Sequence, residues 1–132
     1  MKNEYAMNLK RQLATIIILA LSISIVPAQT STKPETFAAF WKTFKAAIAR
    51  NDKEAIADLT KLPFLYDSQE RDRAGFLKIY GQLFTRKVRR CIAIAKPVKE
   101  GDSYDVFCGE LIFYFSKGTE GKYQFREFGV ND

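Results

Sequence analysis

Cys91-Ile92-Ala93-Ile94-Ala95-Lys96, and then Tyr104-Asp105-Val106-Phe107-Cys108-Gly109-Glu110-Leu111-Ile112-Phe113-Tyr114-Phe115-Ser116, is the stretch on which the fold turns. Apolar residues recur here with a period near two, as a half-buried strand requires. We read residues 91–96 as a first strand and 104–116 as one long second strand. Lys117-Gly118-Thr119-Glu120-Gly121 is a turn, and 122–130 is a third strand. In that register Ile92, Ile94, Phe107, Leu111, Phe113 and Phe115 share the face on which helices would lie. Cys91, Ala93, Tyr104, Val106, Cys108, Glu110, Ile112 and Tyr114 take the other face. Asp105 falls on the first, apolar face, near the turn.

Upstream the period is helical. Phe37, Phe40, Trp41, Phe44 and Ile48 make one apolar stripe, and Thr32 with Glu35 has the spacing of a capping box. Asn51 can end this helix in a left-handed conformation, and Asp52 can cap a second over 53–61 that Pro63 stops. Residues 67–71 are polar and read as a loop. Asp72 caps a third helix that buries Phe76, Leu77, Tyr80, Leu83 and Phe84, with Gly75 and Gly81 as weak points. Arg86-Lys87-Val88-Arg89-Arg90 reads as a solvated loop and charged edge strand. Helices first and an antiparallel meander last give an α+β class, three N-terminal helices packed on one face of a curved antiparallel sheet.

Residues 8–29 carry an export signal. Lys10 and Arg11 precede the apolar run 13–26, and Pro27-Ala28-Gln29 offers a cleavage site. The run is shorter than the roughly 20 residues a spanning helix needs, so a membrane anchor is the weaker reading. The expected organisation is a cleaved signal peptide over 1–28 and a single α+β domain over 29–132, periplasmic or secreted, with no stable membrane insertion. Net charge is +6 for the whole chain, and loss of Lys2, Lys10, Arg11 and Glu4 lowers it to about +4. That mild balance, in an exported domain, argues against nucleic acid.

Two cysteines in an oxidising compartment imply a disulfide. A hairpin turn around Lys99-Glu100-Gly101-Asp102, centred between 99 and 100, sets Cys91 and Cys108 opposite each other on paired strands. Two buried thiols are the alternative, because a one-residue slip would put them on opposite faces.

The residues from Phe40 to Ala57, with Leu62-Pro63-Phe64 and the ending Phe125-Arg126-Glu127-Phe128-Gly129-Val130-Asn131-Asp132, resemble small exported bacterial proteins of uncharacterised role. Those are similar in pattern to the cystatin-like cone of the nuclear transport factor 2-like (SnoaL-like) superfamily. The resemblance spans nearly all of 29–132, and its motifs are structural. It implies a cone, with Trp41 and Tyr66 as residues that would line its mouth; helical spacing alone makes Trp41 a core residue.

The chain has no histidine. Ser-His and Cys-His nucleophile pairs, histidine-rich zinc sites and histidine bases are therefore excluded. An isomerase-like or cyclase-like enzyme would need a buried carboxylate base with a tyrosine donor. Glu110, mid-strand in an apolar run, with Tyr114 on its face and Arg126 on the next strand, is the candidate set. A cross-strand Glu110–Arg126 ion pair on a solvated face is the structural alternative. Asp67, Glu70 and Asp72 lack the pattern of a calcium loop, so no metal or other cofactor is expected. The resulting expectation is a non-catalytic domain that binds a small apolar ligand in its cone or an envelope protein as partner. An isomerase/cyclase-like enzyme and an inhibitor-type interaction protein stand as alternatives.

Overall fold

The computed structural model describes residues 34–131. The expected signal peptide over 1–28 and the Thr32 cap lie outside the described residues. Within them the chain is α+β, with four helices, a two-stranded sheet and a four-stranded sheet, both antiparallel.

Helix α1 (Phe37–Ala49) starts at Thr36, whose hydroxyl accepts from the Ala39 amide at 3.2 Å. Glu35 does not close a capping box. Its carboxylate accepts from the Tyr123 amide at 2.8 Å and ties the helix entrance to the last strand. Asn51 adopts φ 53°, and Asp52 caps α2 (Lys53–Asp58) through the Ala55 amide. This helix stops three residues earlier than its sequence suggests, because the chain at Leu59–Lys61 turns to hydrogen-bond Phe125 on both sides.

The expected loop over 67–71 is instead part of a small hairpin, β1 (Phe64–Tyr66) with β2 (Gln69–Arg71). Its tip is Asp67-Ser68, both with positive φ, as the tight hairpin turn demands. Asp72 then caps α3 (Arg73–Leu83) through the Gly75 amide at 2.8 Å. Arg73 bridges to Glu54 and Asp58 and links α3 to α2 across the surface.

Two expectations fail in the next stretch. The basic run and residues 91–96 are not a loop and a strand; they form α4 (Arg86–Ile94), capped by Thr85. Val88 and Ile92, four residues apart, are the buried stripe of that helix. The apparent alternation of Cys91, Ala93 and Ala95 with Ile92 and Ile94 misleads because Ile94 is 83% exposed. The single strand 104–116 is also two strands. β3 (Val98–Glu100), β4 (Ser103–Cys108), β5 (Leu111–Lys117) and β6 (Tyr123–Val130) run in order across the larger sheet.

Gly109-Glu110 is the two-residue turn between β4 and β5, with Gly109 at φ 69°. Cys108 pairs with Leu111, so side-chain parity changes across the turn. Val106 and Cys108 therefore join Phe113 and Phe115 in the core, while Phe107 points outward at 47% exposure. The expected face sets are corrected accordingly.

Phe37, Phe40 and Phe44 of α1, Phe76 of α3, Phe84 at its C-cap and Phe64 of β1 pack with Phe113, Phe115 and Phe125 of the sheet. All are buried, and the aromatic rings fill the space between helices and sheet. Cys91 and Cys108 form a disulfide with Cα atoms 5.7 Å apart. It joins α4 to β4 rather than two strands. The β3–β4 register pairs Val98 with Asp105, which would set Cys108 opposite Ala95, so only the helical turn brings Cys91 within reach.

The bridge closes a loop of sequence separation 17 and should restrict the unfolded chain accordingly. Replacing both cysteines by serine is expected to lower the unfolding free energy in urea by about 3 kcal/mol. A change well under 1 kcal/mol would show that α4 docks without it.

Candidate functional site

The residues expected to act together are separated by the hairpin. Glu110 sits exposed in the β4–β5 turn, and its carbonyl accepts from the Asn131 amide at 2.7 Å. Arg126 lies at the irregularity in β6, between the pairs Tyr114↔Glu127 and Phe115↔Phe125. The end of β6 beside the turn is Val130, four residues from Arg126, or roughly 13 Å of strand. No Glu110–Arg126 ion pair occurs among the described residues. The turn residue Gly109 was the available signal, since glycine in a strand pattern marks a bend.

Trp41 and Tyr66 do not meet at a common mouth. Trp41 is a core residue, 7% exposed, and lines a shallow surface cavity of about 420 Å³ with Thr36, Phe37, Ala38, Pro97 and Tyr104. Tyr66 stacks on Phe128 and donates its hydroxyl to Gln82 Oε1 at 3.0 Å. A second surface cavity, about 450 Å³, lies beside the disulfide and is bordered by Lys87, Val88, Leu111 and Glu110. A third, about 520 Å³, opens between Lys99, Tyr104, Lys117 and Tyr123. Burial pushes the Tyr123 phenol up, helped by Tyr104, Asp102 and Glu35. Among the described residues no acidic or cysteine cluster could hold a metal ion, and no helix is long and apolar enough to cross a membrane.

What the fold does assemble is the outer face of the four-stranded sheet. The register Val98↔Asp105↔Tyr114↔Glu127 runs straight across it, and Phe107↔Ile112↔Gly129 forms the neighbouring row. Val98 and Phe107 are 44% and 47% exposed. Glu100 shares the face through its pairing with Ser103. Tyr114 leans toward β6 over Gly129: a β-carbon there would lie 3.3 Å from its ring. Glycine thus gives the ring its seat.

Asp105 belongs to this face because of the same parity change that exposes Phe107. Its Oδ1 is shielded from solvent and has no hydrogen-bond partner. Desolvation holds its carboxyl above the usual aspartate value, and the charge of Glu100 adds to the rise. Sequence parity had placed Asp105 and Tyr114 on opposite faces; they are cross-strand neighbours.

No family model matches the chain, and neither the curated proteins nor the solved structures include a match to it.

A carboxyl whose folded-state pKa is raised favours the fold while protonated, and that contribution is lost as pH climbs through the raised value. Asp105→Asn, neutral throughout, is therefore expected to exceed the wild type in urea midpoint near neutral pH. The gap should close as pH falls toward the ordinary value of 3.8. A gap independent of pH would contradict the shielding of this carboxylate.

Proposed function

We propose that the chain is an exported, non-catalytic interaction domain of the cystatin-like, nuclear transport factor 2-like kind, and that it docks a partner protein on the outer face of its four-stranded sheet. The observation that carries this reading is the exposed pair Val98 and Phe107 beside Asp105, whose Oδ1 has no partner. A shielded acceptor without a donor costs roughly 1–3 kcal/mol, and a donor brought by a partner removes that cost while the apolar pair is covered. Glu100, Asp105 and Glu127 lie on the face and Arg126 stands at the irregularity beside Glu127, so the partner is expected to present an apolar patch with a hydrogen-bond donor for Asp105. Export is supported by the leader pattern over 8–29 and by the disulfide, which suits a non-reducing compartment.

The other branch of the binding reading, an apolar ligand held in a cone, is weakened by the phenylalanine side chains that occupy the space between helices and sheet. The enzymatic alternative has its nearest form in Asp105 with Tyr114. Those two stand on an open sheet face and line none of the cavities described above. A carboxylate base tuned for catalysis needs an enclosing, water-poor site.

Immobilised protein exposed to an extract of its own cell envelope should capture a partner, and Phe107→Ser should weaken that capture by about 30-fold, as loss of a central anchor does. Val98→Lys should act in the same direction. Capture that both variants leave unchanged would place the partner surface elsewhere.

A further inference from the structure

α4 presents a second surface that the sheet-face reading does not use. Arg86, Arg90 and Ile94 follow each other at steps of four residues, and Lys87 stands beside them, so the four share one stripe of the helix. All four are exposed, Ile94 at 83%, while Val88 and Ile92 on the opposite stripe are buried. Arg89 serves the fold itself, donating to the Phe84 carbonyl at 2.9 Å, at the end of α3. Arg86, Lys87 and Arg90 have no ion-pair partner among the described residues.

The surroundings reinforce this charge. α4 packs against α1, and neither helix contains an aspartate or glutamate. α1 adds Lys42, exposed, and Lys45, whose ammonium lies 5.7 Å over the Trp41 ring. Lys96 and Lys99 follow α4 and are exposed as well. Glu110 is an acidic group beside the stripe and borders the same cavity as Lys87.

We infer that the outward stripe of α4 is a docking surface for an anionic phospholipid bilayer, held by Arg86 and Arg90 at the headgroup phosphates and by Ile94 in the boundary below them. Charge complementarity selects an anionic occupant. The exposed isoleucine selects among anionic occupants. A free phosphate or a polyanion gains nothing from an apolar side chain, whereas the headgroup–acyl boundary takes one up. The stripe is convex, so it suits a broad surface better than a ligand that needs a pocket. A helix of nine residues reaches about 13 Å, and with α1 beside it the contact stays peripheral.

The test uses the protein recovered from its own cell envelope, mixed with vesicles of phosphatidylcholine alone or with about one-third phosphatidylglycerol, and sedimented. Binding is expected only to the anionic vesicles, released at about 1 M salt and weakened about fivefold by each of Arg86→Gln and Arg90→Gln. Ile94→Ser should weaken it further, and Phe107→Ser should leave it unchanged. Melting curves of the variants should match the wild type, because these positions are exposed. Equal sedimentation with both vesicle types, or binding undiminished in the Arg86→Gln/Arg90→Gln chain, overturns the inference. It is also overturned if inorganic phosphate displaces the protein while Ile94→Ser has no effect, since recognition would then be of phosphate alone. Capture of an acidic protein through Arg86 and Arg90 with no vesicle binding overturns it in favour of a protein ligand.

Discussion

The packing of Phe44, Phe84, Phe113, Phe115 and Phe125 is the constraint on which the remainder of the molecule depends. Phe44 meets Phe115 edge-on at 5.1 Å, Phe84 stacks on Phe113 at 5.7 Å, and Phe125 touches all of the others at 5.6–6.2 Å. Each such contact adds about 0.5–1.5 kcal/mol beyond the area it buries. Because Phe125 is at the centre, the chain around Leu59–Lys61 is drawn alongside it by two backbone hydrogen bonds, and α2 must end there. The helices are thereby locked to one side of the sheet. The same rings occupy the space between helices and sheet, which is why the proposed recognition is placed on surfaces.

Those surfaces differ in chemistry. The outer sheet face combines Val98, Phe107, Ile112 and Tyr114 with Glu100, Asp105 and Glu127. The stripe on α4 combines arginines with one exposed isoleucine and has no carboxylate of its own. The mixed, carboxylate-bearing sheet face and the basic helix stripe differ in charge, and such a difference favours different partners. The disulfide connects the two, since Cys91 lies on α4 and Cys108 ends β4.

Local chemistry made part of this legible from sequence. The caps Asp52 and Asp72 and the left-handed Asn51 act through their own side chains or backbone, and each is where its spacing predicts. The α+β class follows from the change of period between the aromatic helix stripe and the strands. The errors fall where a short apolar run satisfies two periods. Residues 91–96 alternate, yet Val88 and Ile92, four residues apart, bury as one helical stripe while Ile94 faces out. The cysteines are bonded as expected, through a helix-to-strand geometry that a register argument does not reach. At Gly109-Glu110, one unrecognised turn exchanged the faces of Val106 and Phe107. That error propagated to the site, because it separated Asp105 from Tyr114 and placed Glu110 in a strand. Tertiary competition for burial, and not local propensity, decided both places.

We place recognition on the surface of this domain, and native mass spectrometry of the protein recovered from its own cell envelope tests whether a ligand is held inside instead. The expected spectrum shows the mass of the oxidised chain with no small molecule retained. An apolar molecule that stays bound through purification and leaves on denaturation would contradict this placement, since the buried phenylalanines occupy the space between helices and sheet.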